Sequence, residues 1–209
     1  PDAAKVLSRE IAKHSADSVE SPASKNKAKN SESFPDNSSR TGSFGKKYFA
    51  VLTSFDEEKT KLPASGTLND FITWDKKTNT SSITAENDSD GKAAVLSYEI
   101  KNEKVFSTSQ GILTLSLADI TLGTGRHHQI RLQCAAHLCG LWGDTKYHPL
   151  FQNEFDFRTA DAFFRAQGFS VHSKEVGLFS HALEFRHPKT GKWLSFQSSP
   201  DSSVFSIFS

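Results

Sequence analysis

The stretch TLGTGRHHQIRLQCAAHLCGLWGDTKY, residues 121–147, carries the most distinctive pattern in this chain. Gly123 and Gly125 bracket Thr124 after a predicted strand, and HHQIR then opens a predicted helix over 128–138. A glycine turn before a helix N-terminus can bind phosphate, but it can also be an ordinary strand-to-helix turn. The third glycine of the dinucleotide fingerprint and the lysine of the P-loop motif are both missing, so neither nucleotide site is predicted.

Arg131 is the residue of this stretch that most needs a partner. It lies in the first turn of the predicted helix between the apolar residues Ile130 and Leu132. An unpaired buried charge is very costly, so we expect an anion beside it. The histidines do not predict a metal site, because the adjacent His127 and His128 point to different sides of a helix and no Asp or Glu accompanies them in ligand register.

The composition fits a protein of one domain with a local, rather than global, charge pattern. The chain has 209 residues, an apolar fraction of 36% and a net charge of +1, so any nucleic-acid surface must be a local patch. Cys134 and Cys139 fit neither a disulfide framework nor a zinc ribbon, and we interpret them as reduced, buried thiols. No apolar run is long enough to span a bilayer, so we expect no membrane partner. We interpret the chain as an intracellular monomer, in the cytoplasm, the nucleus or an organelle.

Strands outnumber helices along the chain and do not alternate with them. This arrangement predicts an α+β fold with a mixed or mostly antiparallel sheet flanked by helices. Residues 15–45 contain nine serines and almost nothing large and apolar, so we expect a disordered insertion. The other predicted elements are a helix over 1–14, strands over 46–55, 66–75, 93–106 and 112–122, a polar connector over 78–88, a helix over 159–167 and a hairpin over 179–200 that turns at HPKTG.

Five segments in order resemble the RluA-type RNA pseudouridine synthases. The segment TGRHHQIR with the later GDTKY resembles the signature of the family. The other four are KKYFAVL, SGTLNDFI, KAAVLSYEI and LFSHALEFRHPKTGKWLSFQSSP. The resemblance implies the pseudouridine synthase fold over one catalytic domain, residues 1–209. It leaves 15–45 and 151–177 unassigned, and we interpret 151–177 as an insertion that is atypical of the family.

The resemblance also implies roles for particular side chains. Tyr48 would pack on the flipped base and take part in proton transfer, and Arg131 would pair with a nucleophilic aspartate. Ile130 would line the base pocket. The candidate RNA contacts, mostly to phosphates, are Lys46, Lys47, Arg126, His128 and Gln129, although surface lysines are often simply solvated. The implied partner is structured rRNA or tRNA, and the family's reaction needs no metal and no cofactor.

The nucleophile itself is the main departure from the family. Its motif, H-R-L-D, precedes a segment that resembles PDAAKVLSREI, so we expect it shortly upstream of Pro1, and no Arg-Leu-Asp occurs in the 209 residues. The anion for Arg131 is therefore expected outside this chain, and within the chain alone Arg131 is expected to face water, a bound anion or a substitute acid. The chain alone is expected to be inactive. The alternative is a catalytically inactive relative that binds RNA or belongs to a ribonucleoprotein.

Overall fold

The computed structural model describes residues 44–55, 62–108, 111–152, 156–171, 174–200 and 203–209. The predicted helix over 1–14 lies outside the described residues. So does the predicted insertion over 15–45, apart from its last two residues, which begin the first strand.

One seven-stranded sheet dominates the described part of the chain, and all of its pairings there are antiparallel. Its order is β3-β2-β4-β5-β1-β6-β7. The strands predicted over 93–106 and 112–122 are confirmed and pair antiparallel with each other, and the hairpin over 179–200 is also confirmed. The strands are β1 (Phe44–Ser54), β2 (Ser65–Asp75), β3 (Thr80–Thr84), β4 (Lys92–Thr108), β5 (Gly111–Leu122), β6 (Leu178–Arg186) and β7 (Trp193–Gln197).

The helical content of the described residues is small. It consists of α1 (Gln129–His137), α2 (Pro149–Gln152), α3 (Phe157–Ala166) and a 3-10 helix over Ser203–Phe208. The helices predicted over 128–138 and 159–167 are confirmed as α1 and α3. Asp156 caps α3, because its carboxylate accepts hydrogen bonds from the backbone N–H groups of Arg158 and Thr159. None of these helices is long and apolar enough to cross a membrane.

The polar connector predicted over 78–88 is wrong, because Thr80–Thr84 forms β3 and pairs with the end of β2. The inward-facing residue of β3 is polar: Ser81 is 4% exposed. Its N–H donates to the Tyr147 hydroxyl at 2.8 Å, and its own hydroxyl donates to the His127 carbonyl at 2.8 Å. Because the buried residue of β3 is polar, no apolar alternation marks this strand in the sequence. The partners that satisfy Ser81 lie far along the chain.

Both faces of the sheet are covered, since side chains alternate along each strand. On the α1 face, Ala50 and Leu52 of β1 belong to a buried cluster with Ile130, Cys134 and residues of β4 and β5. Val51 points to the opposite face, where a second, largely aromatic cluster forms. Cys134 and Cys139 are free and buried, as the sequence predicts.

The stretch 151–177, which the family resemblance does not cover, supplies part of this second cluster. Phe164 of α3 is 1% exposed, and its ring lies edge-on to that of Trp142, with centroids 5.4 Å apart. Phe151 meets Trp142 in a similar way at 5.3 Å. Full burial of one such ring stabilises the fold by about 2–3 kcal/mol. Whatever its origin, this stretch therefore contributes to the core.

Candidate active site

The glycine turn after β5 is fastened to β4 by buried side chains. Thr124 is 3% exposed; its hydroxyl accepts from the Val95 N–H at 2.8 Å and donates to the Gln129 side-chain oxygen at 2.9 Å. That oxygen also accepts from the Arg126 N–H, and the Gln129 side-chain amide donates to the Val95 carbonyl at 3.0 Å. Gln129, a predicted RNA contact, is 2% exposed and is engaged at both ends within the protein. Its amide fixes the direction in which α1 leaves the turn.

His128 is the N-cap residue that precedes α1, and its backbone lies in the left-handed region, with φ 51° and ψ 22°, which is unusual for a residue other than glycine. Its ring is held on both sides. Arg131 can only donate, so its Nη1–H donates to His128 Nε2 across 3.3 Å. The neutral ring then carries its hydrogen on Nδ1 and donates to the Tyr147 hydroxyl at 2.8 Å. Burial, together with the charge of Arg131, lowers the pKa of His128 to about 4, so its ring is neutral near pH 7.

Arg131 finds its anion within this chain, at Asp144. The guanidinium holds the carboxylate at two points: Nη2 donates to Oδ1 at 2.6 Å and Nε donates to Oδ2 at 2.8 Å. The Asp144 side chain is fully buried, whereas that of Arg131 is 19% exposed. Asp144 is thus the substitute acid that Arg131 meets within this chain, and the turn at Gly143, with φ 68°, brings it back to α1.

The Asp144 carboxylate is also satisfied by backbone groups, since Oδ1 accepts from the N–H of Lys146 at 2.9 Å and of Tyr147 at 3.1 Å. Burial alone raises the pKa of this carboxyl. The hydrogen bonds and the charge of Arg131 outweigh burial, so the pKa lies below its usual value. The pair is therefore ionised near pH 7, and Arg131 Nη1 is the one nitrogen of the guanidinium that Asp144 does not engage.

Tyr48 lies on β1 on the same face of the sheet as α1. Its ring is partly buried against the cluster that contains Ile120 and Ile130. Burial raises the pKa of its hydroxyl, and a hydrogen bond with Ser180 partly opposes this. Ile130, the predicted pocket residue, is 5% exposed and immediately precedes Arg131. Tyr48 and Ile130 thus pack at one cluster, and Arg131 is the next residue along α1. Within the described residues, no hydrogen bond joins the side chains of Tyr48 and Arg131.

A β-bulge lies directly beside Tyr48. Lys47 pairs with Ala182 while Tyr48 pairs with Ser180, which leaves His181 as the extra residue on β6. His181 is held on the face opposite Tyr48, where its ring stacks on Phe49 with centroids 3.8 Å apart. Bulges beside functional residues commonly re-aim a side chain, and this one sets the position of Tyr48 against β6.

The predicted basic contacts are distributed over both faces. Lys47 lines a polar groove on the face opposite Tyr48, together with Asp119 and Thr121. Lys46, two residues before Tyr48, shares the face of Tyr48, and burial lowers the pKa of its ammonium. Arg126 is partly buried, and its Nε donates to the Ala93 carbonyl at 2.8 Å. The structure therefore does not bring these three cations together.

Sequence reasoning named Asp144 and Tyr147 only as motif residues and missed the contacts that they make. The Arg131 guanidinium also lies over the Tyr147 ring, 5.2 Å from its centroid. The position of GDTKY shortly after the predicted helix was the available signal for these contacts. The sequence did not predict the turn that brings this segment back to α1. In the described ranges, no three His, Cys, Asp or Glu side chains are grouped as a metal site would require.

Comparisons with known proteins point in one direction. No protein family model matches the chain. A protein of Chlorobaculum parvum, described as an uncharacterized RNA pseudouridine synthase, is 33% identical over 109 residues, which are 51% of this chain and 30% of that protein. The resemblance to RNA pseudouridine synthases is thereby confirmed in sequence.

Two solved structures share the fold. Human RNA pseudouridylate synthase domain containing 1 matches 76% of this chain with a TM-score of 0.52 and 16% identity. Human RNA pseudouridylate synthase domain containing 4 matches 79% with a TM-score of 0.50 and 16% identity. The matches cover 55% and 61% of those two chains, so this chain spans less than two thirds of each relative.

Proposed function

We propose that this chain is the larger, C-terminal part of the catalytic domain of an RNA pseudouridine synthase of the RluA type. Such an enzyme is an isomerase that converts uridine to pseudouridine within structured ribosomal or transfer RNA. Sequence similarity to one such protein over about half the chain supports the proposal, and so does the fold shared with two pseudouridylate synthase domain proteins.

The observation that carries the proposal is the state of Arg131. Asp144 binds two of its three guanidinium nitrogens, at 2.6 and 2.8 Å, so the plane of the group is fixed. The third, Nη1, donates one N–H to neutral His128 at 3.3 Å, which leaves its second N–H for a further anion. A guanidinium fixed in this way is suited to orient a further carboxylate or a phosphate, because fixed donors lose little entropy on binding.

In the proposed reaction, the catalytic aspartate belongs to a segment outside this chain. Its carboxylate attacks the target nucleotide, the glycosidic C–N bond breaks, and uracil rotates and rejoins through carbon. The carbon-bound hydrogen at the new bond is then lost as a proton and the ring nitrogen gains one, so substrate and product are isomers. Arg131 would orient the aspartate and keep it ionised through its charge. Tyr48 would stack on the uracil ring and assist the proton transfer.

The alternative is a catalytically inactive relative that binds RNA or forms part of a ribonucleoprotein. The absence of Arg-Leu-Asp from the 209 residues is compatible with both candidates, because the motif of an active enzyme is expected upstream of Pro1. The open reading frame separates the two, because an Arg-Leu-Asp shortly upstream of Pro1 supports the enzyme and its absence there supports the inactive relative.

The activity test is tritium release from RNA labelled at uridine carbon 5, run in EDTA. We expect the 209-residue chain alone to be inactive and a chain extended upstream through Arg-Leu-Asp to be active. In the extended chain, Tyr48→Phe should remove most turnover and leave RNA binding nearly unchanged. The matched control is Tyr98→Phe, since Tyr98 is also a strand tyrosine at the same apolar cluster and should tolerate the change. Robust turnover by the 209 residues alone would show that another acid is the nucleophile.

A further inference from the structure

An aromatic ladder runs from the proposed active site to the surface of the β2–β3 hairpin. The Trp74 ring, in β2, stacks on that of His127, with centroids 4.7 Å apart and planes at 18°. The His127 ring lies 3.8 Å from that of His128, and the Nε2 of His128 meets Arg131. Trp74, at the outer end, is 48% exposed. The exposed Trp74 ring is thus separated from Arg131 by only the two histidine rings.

The ladder is held rigidly by β3. Ser81 stands opposite Trp74 in the strand pairing, and its hydroxyl donates to the His127 carbonyl at 2.8 Å. That hydroxyl has one hydrogen, so His127 Nδ1–H must donate to Ser81 Oγ across 2.9 Å. His127 is therefore fixed in both position and tautomer, and Trp74 rests on a supported ring. A ligand that stacked there would not need to order the platform first.

The surroundings of Trp74 suit a polyanion. The Lys76 ammonium lies 5.5 Å from the centroid of the Trp74 ring. Lys146 reaches the hairpin turn, where its Nζ donates to the Asn79 carbonyl at 2.7 Å. The nearby acid, Asp75, points into the turn, because its carboxylate accepts from the Lys77 N–H at 2.8 Å and from the Thr78 hydroxyl at 3.0 Å. The cations are thus available to phosphates that flank a stacked base, while the acid is engaged in the turn.

We propose that Trp74, backed by His127, is a stacking platform for one unpaired nucleobase of the RNA, beside the nucleotide that reaches Arg131. This inference rests on the proposed function, since it assumes an RNA substrate. It narrows that substrate to RNA with an unpaired nucleotide near the target, because a base inside a duplex cannot expose its face. Stacking on an aromatic ring tolerates any base, so the platform selects for strandedness and not for sequence.

The test uses the 209-residue chain and two fluorescently labelled RNAs, a single strand without self-complementarity and the same strand in a duplex. Dissociation constants are measured by anisotropy at one fixed salt concentration, because phosphate contacts make affinity depend on salt. Trp74→Ala should weaken single-strand binding about tenfold and leave duplex binding unchanged. Trp74→Phe, which keeps a ring, should restore most of the affinity.

Trp193 offers a matched control at the opposite edge of the sheet. It also has a cation over its ring, since the Arg186 guanidinium lies 5.7 Å from its centroid. Trp193→Ala should leave both affinities unchanged. Single-strand RNA should also quench the tryptophan fluorescence of the wild-type chain and of Trp193→Phe, because both keep the exposed Trp74. Quenching should be much weaker in Trp74→Phe, because Trp142 is fully buried and Trp193 lies at the opposite edge of the sheet.

Three negative results would count against the platform. If the single strand binds equally well to the wild type and to Trp74→Ala, the platform is refuted while the proposed function stands. If the wild-type chain binds neither RNA, the platform is refuted, and the proposed function is decided separately by the tritium-release assay on the extended chain. Equal tenfold losses on single strand and duplex would also refute the platform, because they would indicate a general loss of binding surface.

Discussion

Replacing Asp144 by asparagine is the sharpest test of how the site is built. The change keeps the volume but removes the charge that Arg131 holds at 2.6 and 2.8 Å. The amide oxygen can still accept from the N–H groups of Lys146 and Tyr147, whereas the amide N–H₂ would face the Nε–H of Arg131, donor against donor. Loss of one partner from a buried ion pair costs about 3–5 kcal/mol, and because Arg131 keeps 19% exposure we expect the lower end, about 3 kcal/mol.

The assay is urea unfolding followed by tryptophan fluorescence, for which the fully buried Trp142 is a suitable probe. Arg131→Met should also cost about 3 kcal/mol, because it leaves the Asp144 carboxylate buried without its cation. The double variant should lose less than the sum of the two single losses, by about 2 kcal/mol, since each single change already breaks the same pair.

The control is Glu99→Gln. Glu99 forms an ion pair with Lys101 at 2.7 Å, but the two side chains are 59% and 41% exposed. Exposed pairs contribute little, so we expect a change below about 0.5 kcal/mol. A loss below about 1 kcal/mol for Asp144→Asn, or a double variant whose loss equals the sum of the two single losses, would refute the argument that this ion pair organises the site.

Two further predictions concern the stability of the neighbourhood. Burial lowers the pKa of His128 to about 4, and it also lowers the pKa of His148, so the unfolded chain binds more protons below pH 6.5. The unfolding free energy should therefore fall between pH 7 and pH 5, by about 1 kcal/mol for the partly solvated His128 ring. His128→Asn should reduce this fall in urea titrations, whereas stability that is constant or rises on acidification would contradict the argument. Gly140→Ala should lower the free energy of unfolding by about 2 kcal/mol, because a Cβ there would lie 2.5 Å from the His148 ring. The control is Gly45→Ala, whose Cβ would have its nearest atom at 3.9 Å and which should leave the melting temperature nearly unchanged. Equal effects of the two substitutions would contradict this explanation.

The sequence predicted those parts of the fold whose buried faces are apolar. The alternation of Ile112, Leu113, Leu115 and Leu117 marked β5 clearly, and HPKTG marked the β6–β7 turn, where Gly191 takes φ 67°. β3 was missed because its buried residue, Ser81, donates its hydrogen bonds to residues far along the chain. Local patterns report apolar burial well, but polar burial depends on partners that only the folded chain brings near.

The residues of the candidate site could be predicted from the sequence, but the contacts between them could not. The need of Arg131 for an anion followed from its apolar neighbours. That Asp144 meets this need depends on the left-handed Gly143, which reverses the chain after Trp142. The roles given to Tyr48, Lys46 and Lys47 came from family resemblance, and they remain predictions. Gln129 is an example of the limit, because its motif position does not reveal that its amide is buried in the turn.

The grip of Asp144 on Arg131 gives this position a direction as well as a charge. A lysine ammonium would supply the same charge, but it has no plane and could not occupy both carboxylate oxygens while aiming a third nitrogen outward. What the fold preserves at position 131 is thus an orientation, set by the fully buried carboxylate of Asp144. A substitution at Asp144 would change the orientation of the Arg131 guanidinium. We therefore expect the residues at these two positions to change together.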